Sequence, residues 1–279
     1  MTRTSFAPGK IILSGEYAVL FGFPGIAVPV SHGIKATFKE DASCKGVEIE
    51  DAANTAVRAY IEKIVAVCGK NQPNLCGQLS IRSTIPFGKG LGSSTALVVA
   101  ITRALIGEDA RETAVAIEDA LNPGNSGLDF NVIWENAPIL FRKGTAPKHS
   151  DLPSVQLQNS TLSDTGLPSE STAQLVAWVR SREKELREPL SIIGNCTERL
   201  VQGEQLESVM RDHHRAQVAL GVVPSEVQKL IVEIERGGGS AKVIGAGART
   251  GSAGMVLAVG NQKEIRNVVD KRSIPIMTL

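Results

Sequence analysis

The stretch Pro86-Phe87-Gly88-Lys89-Gly90-Leu91-Gly92-Ser93-Ser94-Thr95-Ala96 runs directly into an apolar segment that reaches Ile106. Glycines at alternate positions let the backbone turn tightly and bare its N–H groups. Ser93–Ile106 has the length and apolarity of a buried helix. A helix opening straight after such a turn aims free N–H groups and the positive end of its dipole at one point. That combination binds phosphate. The hydroxyls of Ser93 and Ser94 can add hydrogen bonds or reach a metal, although Ser93 is equally placed to be an N-cap in a purely structural turn. No Gly-Lys-Ser/Thr closes the loop, so it is not a Walker-type phosphate loop. The last glycine spacing is wrong for a dinucleotide-binding fingerprint, and no acidic residue ends a second strand about 20 residues on.

The rest of the chain supplies short strands mixed with helices, an α+β pattern in two parts. Ile11–Leu13, Tyr17–Leu20 and Ile26–Val28 read as short strands separated by Gly and Pro turns, and Val47–Glu50 as another. Ala52–Val67 carries Val57, Tyr60, Ile61, Ile64 and Val65 at helical spacing. Gln78–Ile85 alternates like a strand, Glu108–Leu121 is helical, and Pro138–Arg142 is a strand. Ala146–Asp151 is polar and has prolines in or near it, which places a domain boundary there: residues 1–147 form one part and 148–279 the other. The second part opens with strand signals at Val155–Leu157 and Leu175–Val179, followed by helices near 188–201, 203–220 and 224–236. Val243-Ile244 and Met255–Val259 flank the end of a glycine-rich loop over Gly237–Gly254.

Bulk properties narrow the partners. The formal net charge is +1, so no global field draws in nucleic acid or an acidic membrane. Any anion must be held by a local site. Cys44, Cys68, Cys76 and Cys196 form no C-x-x-C pair and fit no zinc spacing, so they read as isolated reduced thiols of a cytosolic protein. The N-terminus has no signal-peptide h-region, and no apolar run reaches the roughly 18 residues of a membrane span. A cytoplasmic location is expected.

Two more loops stand out. Asn125-Ser126-Gly127-Leu128-Asp129 lies in a polar loop, Asn122–Asn131, and by itself reads as an Asx-turn. Lys242–Gly251 contains a Gly/Ala run between strand-like segments, which suggests close backbone approach.

Together these stretches resemble the three motifs of the GHMP kinase superfamily, in order. Ala7-Pro8-Gly9-Lys10-Ile11-Ile12-Leu13-Ser14-Gly15-Glu16-Tyr17-Ala18-Val19-Leu20 is similar to its opening motif A-P-G-K-x-x-L-x-G-E-H-A-V-V, Pro86–Ala96 to its phosphate loop, and Gly245-Ala246-Gly247 to its third motif. Ser126–Asp129 resembles the S-G-I-D of the mevalonate kinases in that superfamily, and Glu118 stands eleven residues before Asp129, as their metal-binding glutamate does. Leu206–Gly221 resembles the family's helix before its third loop.

The resemblance implies a two-domain GHMP kinase fold with an ATP and substrate cleft between the domains. It implies ATP and Mg²⁺ as cofactors, mevalonate as acceptor, no nucleic acid, no membrane, and room for a homodimer. Lys89, Gly90, Leu91, Gly92, Ser93, Ser94 and Thr95, with Gly245, Ala246 and Gly247, would hold ATP. Ser94 and Glu118 would hold Mg²⁺. Asp129 would take the proton of the acceptor hydroxyl, with Lys10 beside it; Glu16 and Tyr17 would lie near the substrate. These roles suit phosphoryl transfer, which needs positioning and charge neutralisation more than covalent chemistry.

The sequence departs from the family pattern in three places. Tyr17 replaces a histidine, as phosphomevalonate kinases often do, so phosphomevalonate is the alternative acceptor; Lys35, Arg142, Lys143 and Arg180 are the candidate cations for its phosphate. Phe130–Asn136 differs from the usual sequence after the aspartate. Ala248–Gly254 stretches the third loop, where Arg249 either contacts a nucleotide phosphate or faces solvent. His213, His214, Trp134 and Trp178 read as packing or helix-surface residues. A non-catalytic sensor of this fold tends to lose its catalytic residues, whereas Lys10, Ser94, Glu118 and Asp129 are all present.

Overall fold

The computed structural model describes residues 1–50, 54–150, 157 and 159–278. Two sheets organise them. The first is built on an antiparallel pair, β1 (Thr2–Ser14) and β2 (Pro24–Glu40), longer than the short strands expected there. Its other strands are β3 (Val47–Glu50), β4 (Gly77–Ser83), β5 (Ile139–Arg142) and β6 (Lys148–His149), in the order β3-β4-β2-β5-β6. Within this sheet only β3 and β4 run parallel. The second sheet has the order β10-β7-β9-β8, from β7 (Ser160–Asp164), β8 (Gly239–Val243), β9 (Met255–Gly260) and β10 (Ile276–Met277).

The β1–β2 register breaks between Pro8 and Lys10 and again between Ile12 and Ser14. Such irregularities bend a strand and re-aim its side chains. At the first break the Lys10 N–H leaves the ladder and donates to Leu91 O at 3.0 Å.

The helices are α1 (Thr55–Asn71), α2 (Ser93–Leu105), α3 (Arg111–Leu121), α4 (Leu128–Glu135), α5 (Thr172–Ser181), α6 (Arg187–Val201), α7 (Leu206–Leu220), α8 (Ser225–Arg236) and α9 (Gln262–Lys271). Leu97–Thr102 is buried without interruption, so α2 has no solvent face and forms the centre against β1 and β2. The largest apolar cluster joins Ile11, Ile26, Leu97 and Ile101 to Leu162, Leu200 and Leu257, so it draws on both sheets. Full burial of each such side chain contributes about 1.5–3 kcal/mol. No helix among the described residues is long and apolar enough to cross a membrane.

Several expectations change. Tyr17–Leu20 is no strand: residues 18–21 form a 3₁₀ turn, with the Leu20 N–H donating to Tyr17 O. Leu175–Val179 is helical, inside α5, because Ser171 and Gln174 form a reciprocal capping box that starts the helix. The loop expected over Asn122–Asn131 ends early, since α4 begins at Leu128 and buries Leu128, Phe130, Val132 and Ile133. Gly239–Val243, expected within a glycine-rich loop, is the fully buried β8. The strand expected at Val155–Leu157 lies almost wholly outside the described residues.

Candidate active site

A cavity of about 430 Å³ is walled by β1, the start of α2, the end of α3, the start of α4, the start of α5 and the loop after β8. Part of its lining is the glycine turn. Gly88, Gly90 and Gly92 all have positive φ. A Cβ on Gly90 would meet Ile244 O at 2.5 Å, and one on Gly245 would meet Gly90 Cα at 2.7 Å. The two glycine loops therefore touch backbone to backbone. A Cβ on Gly92 would meet Lys10 Cγ at 2.9 Å, so this glycine makes room for the lysine stem.

Ser93 Oγ accepts from Gly88 N at 3.2 Å and so closes the turn; Gly92 is the N-cap, and no side chain caps the helix. The open N–H groups of the first turn suit an anion. Ser94 lines the cavity. Lys89, Leu91 and Gly247 are not among the lining residues. The Lys89 ammonium binds Asp164, Leu91 is buried, and Gly247 packs on Val222 O.

Lys10 Nζ lies 3.0 Å from Asp129 Oδ2; the lysine is 2 % exposed and the aspartate 37 %. Their approach follows from the turn before α4. Gly127 takes φ 90° as its N-cap, and Ser126 Oγ accepts from Leu128 N, which sets Asp129 in the first helical turn, facing the cavity.

Glu118, on α3, also lines the cavity and is 4 % exposed. Its Oε1 accepts from Thr95 Oγ1 at 2.9 Å, which commits that hydroxyl, while Oε2 is buried with no hydrogen-bond partner. Burial, with the Asp129 charge adding, pushes its carboxyl up to about 7. An orphaned carboxylate oxygen and the Ser94 hydroxyl, lining one cavity, are hard-oxygen donors of the kind Mg²⁺ takes, and that ion needs only one or two protein ligands. The side chains present fit that ion. No larger His, Cys, Asp or Glu cluster suited to a metal occurs among the described residues.

Glu16 and Tyr17 also line the cavity. Glu16 binds the Lys242 ammonium through Oε1, and its Oε2 lies 2.9 Å from His213 Nε2, a contact that is attractive with the proton on that nitrogen. Lys242 also donates to Ile12 O at 3.0 Å. Lys242 and His213 are fully buried. The Lys242 ammonium, with His213 beside it, holds the Glu16 carboxyl down at about 2 against its burial. Burial lowers the pKa values of Lys242 and His213. The sequence reading did not link these two residues to Glu16. The signal available was a lysine three residues before the Gly245–Gly247 run.

Arg249 neither lines the cavity nor stands free: its Nε is 2.8 Å from Glu170 Oε1, and its guanidinium lies 5.5 Å from the Trp178 ring centroid. The stretched third loop pairs with residues 165–170. Thr165 N–H donates to Gly254 O, and Ser169 Oγ to Thr250 O.

A family model described as the GHMP kinases N terminal domain matches residues 53–129, which include the glycine turn, Glu118 and Asp129. A mevalonate kinase of Thermococcus sibiricus is 28 % identical, with 98 % of this chain and 94 % of the relative covered. The crystal structure of the Methanococcus jannaschii mevalonate kinase superposes with a TM-score of 0.79 at 18 % identity, over 99 % of this chain and 96 % of that one. A Streptococcus pneumoniae phosphomevalonate kinase structure reaches 0.76 at 16 % identity, over 100 % and 98 %, so the fold alone does not select an acceptor. The three motifs, the fold and the likeness along nearly the whole chain agree: residues 53–129 match the GHMP kinases N terminal domain, and the chain is similar to mevalonate kinases.

Proposed function

We propose that the chain transfers the γ-phosphoryl group of ATP to the primary hydroxyl of mevalonate, giving ADP and 5-phosphomevalonate. The observation that carries this reading is the Lys10–Asp129 pair, 3.0 Å apart in the cavity that also holds the glycine turn and the start of α2. The curated relatives named mevalonate kinase support it, as does a structural neighbour from L. major in complex with R-mevalonate.

On this reading the triphosphate lies along Gly90–Ser94, against Gly245 and Ala246, with Lys89, Leu91 and Gly247 acting through their backbones. Asp129 accepts the hydroxyl proton as the alcohol oxygen attacks the γ-phosphorus and the bond to ADP breaks. Lys10 stabilises the developing charge on that oxygen and fixes the Asp129 carboxylate beside it. Ser94 and Glu118 would hold Mg²⁺, which would supply neutralisation of phosphate charge.

Mevalonate is favoured over phosphomevalonate by the charge of the walls. Among the cavity-lining residues Lys10 is the one lysine or arginine, and it is engaged by Asp129. Of the four cations considered for a substrate phosphate, Lys35, Arg142 and Lys143 are exposed elsewhere, and Arg180 donates to Gly124 O at the rim. Purified protein with ATP and Mg²⁺ is to be given mevalonate, phosphomevalonate, homoserine and galactose. Mevalonate-dependent ADP release supports the reading; turnover of another acceptor without mevalonate turnover overturns it.

A further inference from the structure

Residues 16–18 follow β1 in the chain, yet their side chains are anchored in the other half of the molecule. Glu16 is held by Lys242 of β8 and faces His213 of α7. Tyr17 Oη donates to Ala246 O at 2.5 Å. Tyr17 and Ala18 pack with Leu175, Val179, Leu190 and Leu220. The Tyr17 backbone sits at φ 62°, ψ −48°, a region that side-chain-bearing residues rarely adopt. Such a conformation persists where its surroundings over-determine it, and it concentrates at ligand clamps and active sites. Here the fixing contacts come from both flanks, through Glu16 and through the phenol.

The carbonyl that Tyr17 holds is a specific one. Ala246 lies between Gly245, which presses on Gly90 of the nucleotide turn, and Gly247, which presses on Val222 O. Tyr17, Gly245 and Ala246 all line the cavity. The peptide that follows Gly245 is therefore tied by one hydrogen bond to the Tyr17 side chain, and both line the same cavity. A ligand that orders the Gly245–Ala246 backbone also orders the Tyr17 wall, and the converse holds because binding coupling is reciprocal.

We propose that Tyr17 is a positioning residue that makes nucleotide and acceptor bind cooperatively, through its hydroxyl on the Ala246 carbonyl. The inference rests on the proposed binding of ATP and mevalonate in this one cavity. The phenol touches no reacting atom in this scheme; its effect is on how strongly each ligand favours the other.

The test is calorimetry of a non-hydrolysable ATP analogue with Mg²⁺, alone and with saturating mevalonate. In the wild type, mevalonate tightens the analogue at least about five-fold, the lower end of ordinary coupling, and the analogue tightens mevalonate by the same factor. Tyr17→Phe keeps the ring and removes the donor. It cuts the coupling, read as the ratio of the analogue's affinities with and without mevalonate in the same variant, to below about two-fold. Tyr17→Leu, which also fills the cluster without a donor, gives the same loss. Retained coupling in a folded Tyr17→Phe protein, or a wild type that binds both ligands independently, overturns the proposal. A wild type that does not bind mevalonate at all overturns the acceptor assignment and this inference with it.

Discussion

The Lys10 ammonium is buried while Asp129, 3.0 Å from it, is open to the cleft. The pair therefore exposes more of its carboxylate than of its cation, although both side chains line the cavity. Asp129→Asn keeps the shape and removes the proton acceptor, so kcat should fall about 10²–10⁴-fold. The affinity for an ATP analogue should stay within a few-fold, because the nucleotide turn does not touch this side chain in the proposed scheme. Steady-state kinetics beside calorimetry checks both; a rate within ten-fold of wild type rules Asp129 out as the base.

Glu118 is expected to control the metal requirement. Its free Oε2 is the buried oxygen without a partner on this wall, and Thr95 already occupies Oε1. Glu118→Gln keeps the Thr95 contact through its amide oxygen and loses the anionic donor. The Mg²⁺ concentration giving half-maximal rate should rise at least about ten-fold. An unchanged Mg²⁺ dependence would make Glu118 a structural acid.

The parts legible in sequence are those with a strong local signature. The Pro86–Ala96 turn and the apolar α2 declare themselves through glycine spacing and an uninterrupted apolar run, and α6, α7 and α8 through helical periodicity. The long β1 and β2 were hidden by their own glycines and prolines, which mark register breaks at Pro8–Lys10 instead of strand ends. Leu175–Val179 is too short an apolar run to distinguish strand from helix, and the Ser171–Gln174 cap decided it. The convergence of Lys10 with Asp129 came from family resemblance, since the two are far apart in the chain. The Glu16–Lys242–His213 cluster had no such guide. Nothing local tells a buried lysine from a solvated one when its partner is 226 residues away.

Gly245→Ala tests the contact between the two glycine loops. Gly245 has φ 76°, and the added methyl would meet Gly90 Cα at 2.7 Å. Strain and collision together should cost about 1–3 kcal/mol and raise the KM for ATP. Gly251→Ala is the control: φ is 72°, but nothing lies within 4 Å of its Cβ position. It should show a smaller loss of stability and an ordinary KM. Equal effects from both variants in thermal melts and kinetics would mean that the loops do not depend on this contact.

His214 should make the fold acid-sensitive. Burial, with the charge of His213 adding, lowers its pKa from 6.5 to about 4. Below 6.5 the unfolded chain takes up a proton that the folded chain refuses, so stability falls as pH falls through that window. By pH 5 the loss from this residue is about 2 kcal/mol. His214→Gln removes the titration, so the drop in melting temperature between pH 7 and pH 5 should shrink by several degrees. A variant with the wild-type pH dependence would assign the acid sensitivity to other groups.

Lys242 and Glu16 form a buried ion pair, and removing one member strands the other. Lys242→Met leaves the Glu16 carboxylate with only His213 beside it in a site closed to water. Breaking such a pair from one side costs about 3–5 kcal/mol, most of it the burial of an uncompensated charge. Adding Glu16→Gln removes that charge, so the double variant should regain at least half of the lost stability. The wild-type pair also has a pH signature. The folded Glu16 carboxyl lies near 2, below its ordinary 4.5, so its contribution is complete above 4.5 and is lost as pH falls toward 2. Denaturant melts of wild type, both single variants and the double variant give the coupling directly. If the single-variant losses simply add in the double variant, the two side chains do not interact across the sheets, and the anchoring of the acceptor wall must be sought in the Tyr17 contact alone.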